Sequence, residues 1–314
     1  MAPSVTEPIS QTAEQIREKL TPNASETPDK YEGKAHEALN SRQSATPVQV
    51  PTPAAQHIHP ITNSGRDLGG KDDEISVISS VQAKKLFGRN FGIGNRQSAK
   101  TGWHSDITFE PIPSDYALLR LTELPKTGGD TLWASGYEVY DRISKPVQKF
   151  LETLTATYAQ PNFNKSADDN GFKIYSDERG APENVGEKLE AVHPVVRTNP
   201  VTGWKSIFAL GQHVSHINDL TKIESDALLE WFLRLVVDNH DLQVRHRWEN
   251  VNDLAIWDNR SNYHVATNDY IDLGLGERAG QRAVSVGRSL TLILRVPEEE
   301  IGWKSCKQTD RIEI

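Results

Sequence analysis

The sequence predicts a mainly β fold with flanking helices, arranged as a jelly-roll barrel. Many short segments alternate apolar and polar side chains, the period-two signature of strands, and turns rich in Gly, Pro and Asn divide them. Only a few segments carry helical spacing. They do not follow the strands one for one, as a doubly wound parallel sheet would require.

At 314 residues, with 36% hydrophobic and 25% charged side chains, the chain can bury a substantial core. Its formal net charge of −8 argues against nucleic-acid binding, which rests on neutralising phosphates with Lys and Arg. One cysteine, Cys306, excludes an intrachain disulfide and suits a reducing compartment. The N-terminus has neither a basic nor an apolar signal region. No apolar run approaches the roughly 20 residues that cross a bilayer. A cytoplasmic location without membrane partners is the expectation. Oligomeric state is not legible, and a homo-oligomer stays open.

Residues 1–55 are rich in Pro, Ser, Thr, Ala, Gln and Glu and poor in aromatics, which predicts a mostly disordered tail and linker. Gln11 to Leu20 is the one helical stretch expected there. A jelly-roll domain follows over 56–296, and 297–314 reads as a C-terminal tail.

Within the domain, Glu74 to Val81 alternates as a strand, and Phe87 to Thr101 reads as a glycine-punctuated loop. Tyr116 to Leu121 is a strand, and Gly128-Gly129 turns the chain into another. Ser135 to Tyr158 has the spacing of one or two helices, and Gln160 to Glu190 reads as a polar surface excursion or lid. Val192 to Arg197 and Lys205 to Leu210 are strands around a turn at Asn199 to Gly203. A helix starts at Thr221 or Ser225 and runs to about Asp238 on an apolar stripe. Gln243 to Trp248, Asp253 to Asp258 (read as buried) and Arg282 to Gly287 complete the strands, with Arg288 to Arg295 compatible with one more.

The stretch that suggests chemistry is Trp103-His104-Ser105-Asp106. Ile107 and Phe109 continue an alternating pattern, so the segment reads as strand, and a strand projects residues i and i+2 from one face. An imidazole and a carboxylate would then emerge side by side. His-x-Asp recurs by chance, and alone it fits strand-end capping as well as metal binding.

A third candidate ligand is His264, where a strand meets a polar turn. Two imidazoles and one carboxylate would occupy one face of an octahedron and leave three positions open, the arrangement associated with non-haem Fe(II) oxygenases. A structural zinc site would want four closed ligands. His36, His213, His216, His240 and His246 have bland readings in tail, loop, helix end and exposed strand. Beyond His264, Arg278 and Arg282 stand four residues apart and could each present a guanidinium fork to an anion such as 2-oxoglutarate. A pair of surface arginines fits that spacing equally. Thr131 could donate a hydroxyl to the same carboxylate, or serve only as a turn-to-strand residue.

These pieces together resemble the taurine dioxygenase (TauD/TfdA-type) family of Fe(II)- and 2-oxoglutarate-dependent dioxygenases, from about His57 to Gly287. The motifs are His57-Ile-His-Pro60, Trp103-His-Ser-Asp106, Thr127-Gly-Gly-Asp-Thr-Leu-Trp133, His193-Pro-Val-Val-Arg197 and Glu224-Ser-Asp-Ala-Leu-Leu229. Ile256-Trp-Asp-Asn-Arg260, His264, Asp269-Tyr270 and Arg278 through Arg282 continue them. The last of these look most like the fungal sulfonate dioxygenases.

The resemblance implies a double-stranded β-helix with iron held by His104, Asp106 and His264. It implies that Thr131 and Arg278 hold the distal carboxylate of 2-oxoglutarate. Arg282 and His59 match positions that receive a substrate sulfonate. The implied reaction converts 2-oxoglutarate and O2 to succinate and CO2 while hydroxylating a small anionic substrate, in sulfonate catabolism releasing aldehyde and sulfite. Residues 1–55 and those after Gly287 do not resemble the family's ends, which implies a jelly roll lacking its N-terminal strands. The alternative functions are a truncated, catalytically inactive dioxygenase-like protein and a zinc hydrolase using the same triad. The Arg278/Arg282 pair disfavours the hydrolase, which needs no dicarboxylate clamp.

Overall fold

A computed structural model describes residues 55–61, 73–87, 99–271 and 273–287 of the chain. The expected N-terminal helix and most of the linker, the middle of the glycine-rich loop and the strand after Gly287 lie outside the described residues.

The first described strand, β1 (Ile75–Ser79), passes directly into a helix, α1 (Ser80–Phe87). The alternating reading of 74–81 therefore runs too far, and the loop expected from Phe87 is preceded by helix. After a 3₁₀ turn at Lys100–Gly102 come β2 (Ser114–Glu123) and β3 (Thr131–Ser135). The helical spacing of 135–158 resolves into α2 (Gly136–Asp141), α3 (Lys145–Leu151) and, at its end, a strand, β4 (Thr155–Ala159).

Residues 160–190 are not a mere surface excursion. They begin with α4 (Pro161–Asn170), and they bury Arg179, whose side chain is 1% exposed in a pair with Glu110. Three short strands follow, β5 (Glu190–Pro194), β6 (Val196–Thr198) and β7 (Lys205–Ile207), then β8 (Val214–Ile217), which periodicity had left as loop. The long helix α5 (Lys222–Val237) starts at Thr221, whose hydroxyl accepts from the Glu224 amide while Glu224 reaches back to the Thr221 N–H, a reciprocal capping box. The chain closes with β9 (Gln243–His246), β10 (Leu254–Asp258), β11 (Asn262–Ala266) and β12 (Ala279–Val286).

Two sheets form the barrel walls. One is ordered β1-β12-β2-β10 and the other β11-β3-β9, with antiparallel pairing throughout. Alternation then sorts side chains. Ala117, Leu119 and Leu121 of β2, Val284 of β12 and Trp257 of β10 turn inward and pack with Ile107, Phe109 and Trp248. Arg282 lies opposite Leu119 on β2 and Ser76 on β1.

β10 is an edge strand with Leu254 and Ile256 exposed, not the buried strand its apolar run predicts. Its second neighbour is absent among the described residues, which leaves one backbone edge unpaired there, and only the face carrying Trp257 is buried. A smaller sheet, β5-β4-β8, packs with α2, α3 and α5 around a second core centred on Tyr158, Phe208 and Phe232. No described helix is long and apolar enough to cross a membrane.

Candidate metal centre

His104 and His264 face each other across a single antiparallel bridge. The His104 amide donates to the His264 carbonyl at 3.1 Å, and the His264 amide returns the bond at 2.8 Å. Their rings lie 4.3 Å apart. The bridge extends the β11-β3-β9 sheet by one residue and ends there, so 104–109 is no strand. Asp106 and the next three residues form a turn, closed by the Glu110 amide on the Ile107 carbonyl at 3.0 Å.

Asp106 is instead fixed by a side chain. Its N–H donates to Asn259 Oδ1 at 2.9 Å, and its carbonyl accepts from Asn259 Nδ2 at 3.0 Å. The partnership spans 153 residues, and residue spacing carried no signal for it. Ile107, a β-branched residue, takes φ 48° beside the carboxylate, a conformation that costs about 1–3 kcal/mol. It persists because Ile107 is buried at 2% exposure.

The carboxylate and the two imidazoles converge, with ligand atoms of His104, Asp106 and His264 all within 4.8 Å of one another. Asp106 Oδ1 is 3.8 Å from His104 Nε2, and Oδ2 is 3.8 Å from His264 Nε2. His104 Nδ1 donates to the Gly102 carbonyl at 2.7 Å, which leaves its Nε2 lone pair facing the carboxylate. Asp106 Oδ2 is buried without a hydrogen-bond partner.

Burial alone would raise the Asp106 pKa. Arg282, then His264 and His104, outweigh it and hold the carboxyl well below the usual range. Burial, then His104, presses His264 down to about 3, so its imidazole is neutral. An ionised carboxylate with an orphaned oxygen beside two imidazoles is the donor set that accepts a divalent cation.

Gly211 lets the chain approach this closely. At φ +108° it lies against the ligand backbone, where a Cβ would sit 2.7 Å from the Trp103 carbonyl and 2.8 Å from His104 Cα.

Two cavities meet at the triad. One, of about 420 Å³, is lined by His104, His264, Thr131, Trp257, Arg278 and Arg282 among others. Arg278 donates from Nε to the Gly129 carbonyl at 2.9 Å and from Nη2 to Thr131 Oγ1 at 3.1 Å. Trp248 Nε1 donates to the same hydroxyl at 3.0 Å. With both lone pairs of Thr131 engaged, its own proton is left to donate.

The other cavity, about 670 Å³, is walled by Phe109, Phe163, Ile61 and Leu86 and reaches His104, Asp106, His59, His213 and Arg282. Arg282 Nη1 pairs closely with Asp106 Oδ1. His59 is buried, and its Nδ1 accepts from the Ile61 amide at 3.2 Å. The bland reading of His213 as a loop residue does not hold, for it is buried in the wall of this cavity. His216, by contrast, is exposed on β8.

Every residue predicted for the site lies around these two cavities: His104, Asp106 and His264 at their junction, Thr131 and Arg278 in the smaller, His59 in the larger, Arg282 in both. Asn259, Trp248, Gly211 and His213 also border this candidate site, and sequence reading gave none of them a place in it.

A family model described as taurine catabolism dioxygenase TauD, TfdA family matches residues 61–284. The alpha-ketoglutarate-dependent dioxygenase btcD of Neocamarosporium betae is 54% identical over 225 residues, which cover 69% of this chain and 65% of that protein. The alpha-ketoglutarate-dependent sulfonate dioxygenase of Saccharomyces cerevisiae is 36% identical over 169 residues, 54% of this chain and 38% of that one. Among solved structures, a taurine dioxygenase from Burkholderia xenovorans superposes with a TM-score of 0.55 at 23% identity, covering 81% of this chain and 72% of that one. That likeness establishes the shared jelly-roll fold. The chain spans just under two thirds of the length of the Neocamarosporium relative.

Proposed function

The chain belongs to the taurine catabolism dioxygenase TauD, TfdA family, and from that premise we propose that it is an Fe(II)- and 2-oxoglutarate-dependent dioxygenase hydroxylating a small anionic substrate, an alkylsulfonate. The observation that carries this reading is the His104, Asp106, His264 set at the junction of two cavities, one of them ending on Arg278 and Thr131. A zinc hydrolase has no use for that second, arginine-ended cavity.

Iron bound by the triad would supply the activation of O2 and the oxidising equivalents. The rest falls to the chain. Arg278 offers its fork and Thr131 its remaining proton to the distal carboxylate of 2-oxoglutarate. Asn259 and the Gly102 carbonyl keep Asp106 and His104 aimed. Arg282 and His59 receive the substrate anion from the larger cavity, and Phe109 and Phe163 exclude water around its apolar body. Hydroxylation beside a sulfonate yields an adduct that collapses to aldehyde and sulfite, with succinate and CO2 from the co-substrate.

The test is Fe(II)- and O2-dependent formation of succinate from 2-oxoglutarate, with sulfite release from taurine and longer alkylsulfonates. Folded, iron-loaded protein that turns over no 2-oxoglutarate with any of them refutes the reading. A His104→Ala variant with undiminished turnover would remove the assigned site.

A further inference from the structure

The larger cavity also carries a buried histidine outside the metal set and the anion pair described above. His213 stands one residue before β8 and is 5% exposed. Its ring packs edge-on to Phe109 at 5.2 Å and to His104 at 5.8 Å, so it faces the cavity beside the metal ligands. Nδ1 meets the Thr108 hydroxyl at 3.0 Å. Among the described residues Nε2 has no hydrogen-bond partner. A neutral imidazole takes its tautomer from its partners. When the Thr108 hydroxyl donates to Nδ1, the proton resides on Nε2, which becomes a donor into the cavity.

Two further donors converge there. His59 Nδ1 accepts from the Ile61 amide, which likewise puts its proton on Nε2. Arg282 is anchored through Nη1 to Asp106, while its Nε is buried without a partner. His59, His213 and Arg282 all line the larger cavity.

We propose that Arg282, His59 and His213 form a three-donor seat for the substrate head group, and that His213 makes the seat prefer a three-oxygen head, sulfonate or sulfate, over a carboxylate. This rests on the reading of the larger cavity as the substrate site. A carboxylate offers two oxygens in one plane. Seated on the guanidinium and one imidazole, it leaves the second imidazole N–H buried and unpaired, and such a group is expensive. A tetrahedral head supplies an acceptor for each of the three donors. Specificity then arises from what the wrong ligand leaves unsatisfied.

The experiment is calorimetric titration of the anoxic full chain, loaded with Fe(II) and 2-oxoglutarate, with hexanesulfonate, hexyl sulfate and heptanoate. The unsubstituted protein should bind one of the two sulfur anions at least about tenfold more tightly than heptanoate. Whichever of the two binds better names the class. His213→Phe should weaken that ligand about tenfold and change heptanoate by less than about twofold. His213→Gln, whose amide can still donate, should recover part of the loss, and Thr108→Val should act in the same direction as His213→Phe. Thermal melts of each variant report that it is folded.

Equal loss on all three ligands, no loss in His213→Phe, preference for heptanoate, or binding of none overturns the proposal. Titration of 2-oxoglutarate itself into the iron-loaded protein separates the two readings. Its failure to bind refutes the dioxygenase function, whatever the head-group series shows.

Discussion

Arg278→Lys isolates the clamp on 2-oxoglutarate, because it keeps the charge and removes the fork. The arginine ties its plane down with Nε on the Gly129 carbonyl and Nη2 on Thr131 Oγ1, and it touches none of the three metal ligands. A carboxylate meeting the remaining N–H groups would gain two parallel charge-assisted bonds. Lysine, a single point donor on a flexible stem, can supply one. Losing one such bond costs about 1.5–3 kcal/mol, which is about 10- to 150-fold in Kd. Burial already lowers the Arg278 pKa, and an ammonium there would be pressed further toward neutrality, adding to the loss. Calorimetry with 2-oxoglutarate on anoxic Fe(II) protein measures the effect, and a parallel Fe(II) titration should match the unsubstituted protein. An affinity for 2-oxoglutarate within about twofold of the original would refute the assignment of Arg278.

Asn259→Ala strips both backbone partners from Asp106 and should weaken metal binding about 10- to 100-fold; chelator competition reads it, and unchanged affinity refutes the brace. Gly211→Ala forces a Cβ to 2.7 Å from the Trp103 carbonyl at a left-handed backbone, so the melting temperature should drop along with metal affinity. A variant that melts with the parent protein would sink that account. His193 gives a pH prediction. Its Nε2 donates to the Thr108 and Glu110 carbonyls at 3.1 and 3.0 Å, and burial lowers its pKa from 6.5 to about 4. The unfolded chain therefore takes up the proton first as pH falls, so stability declines below about pH 6.5 and levels off near pH 4. The decline sums to about 3 kcal/mol at 1.36 kcal/mol per pH unit. Urea unfolding of parent and His193→Asn protein across that window checks it, and equal slopes would contradict it.

The candidate site residues were more legible in the sequence than the local structure that aims them. His104, Asp106, His264, Thr131 and Arg278 are legible because metal and carboxylate chemistry restricts residue type, and types survive in a one-dimensional string. The strand expected through His104 and Asp106 is not there. Ile107 and Phe109 are apolar because a turn is buried between the barrel walls, and a buried turn leaves the same alternation as a strand. The edge position of β10 was hidden for the converse reason: Leu254 and Ile256 are apolar yet exposed. His213 looked bland since nothing local separates a loop histidine from one lining a cavity. Arg179 sat in a polar stretch, and its partner Glu110 is 69 residues away.

The missing strand changes how the precision of the metal centre must be explained. A regular strand would have held the His-x-Asp pair by its own ladder of hydrogen bonds. Here the ladder is one bridge long, and the second ligand lies past its end. Three separate restraints replace it: the reciprocal His104–His264 backbone pair, the Asn259 amide on both sides of Asp106, and Gly211 pressed against His104. They come from β11, the β10–β11 turn and the segment before β8, so the site forms only when both barrel walls and the smaller sheet's approach are assembled. Metal affinity in the Asn259 and Gly211 variants should accordingly fall together with the cooperativity of the melt, because each restraint ties the triad to a different part of the fold.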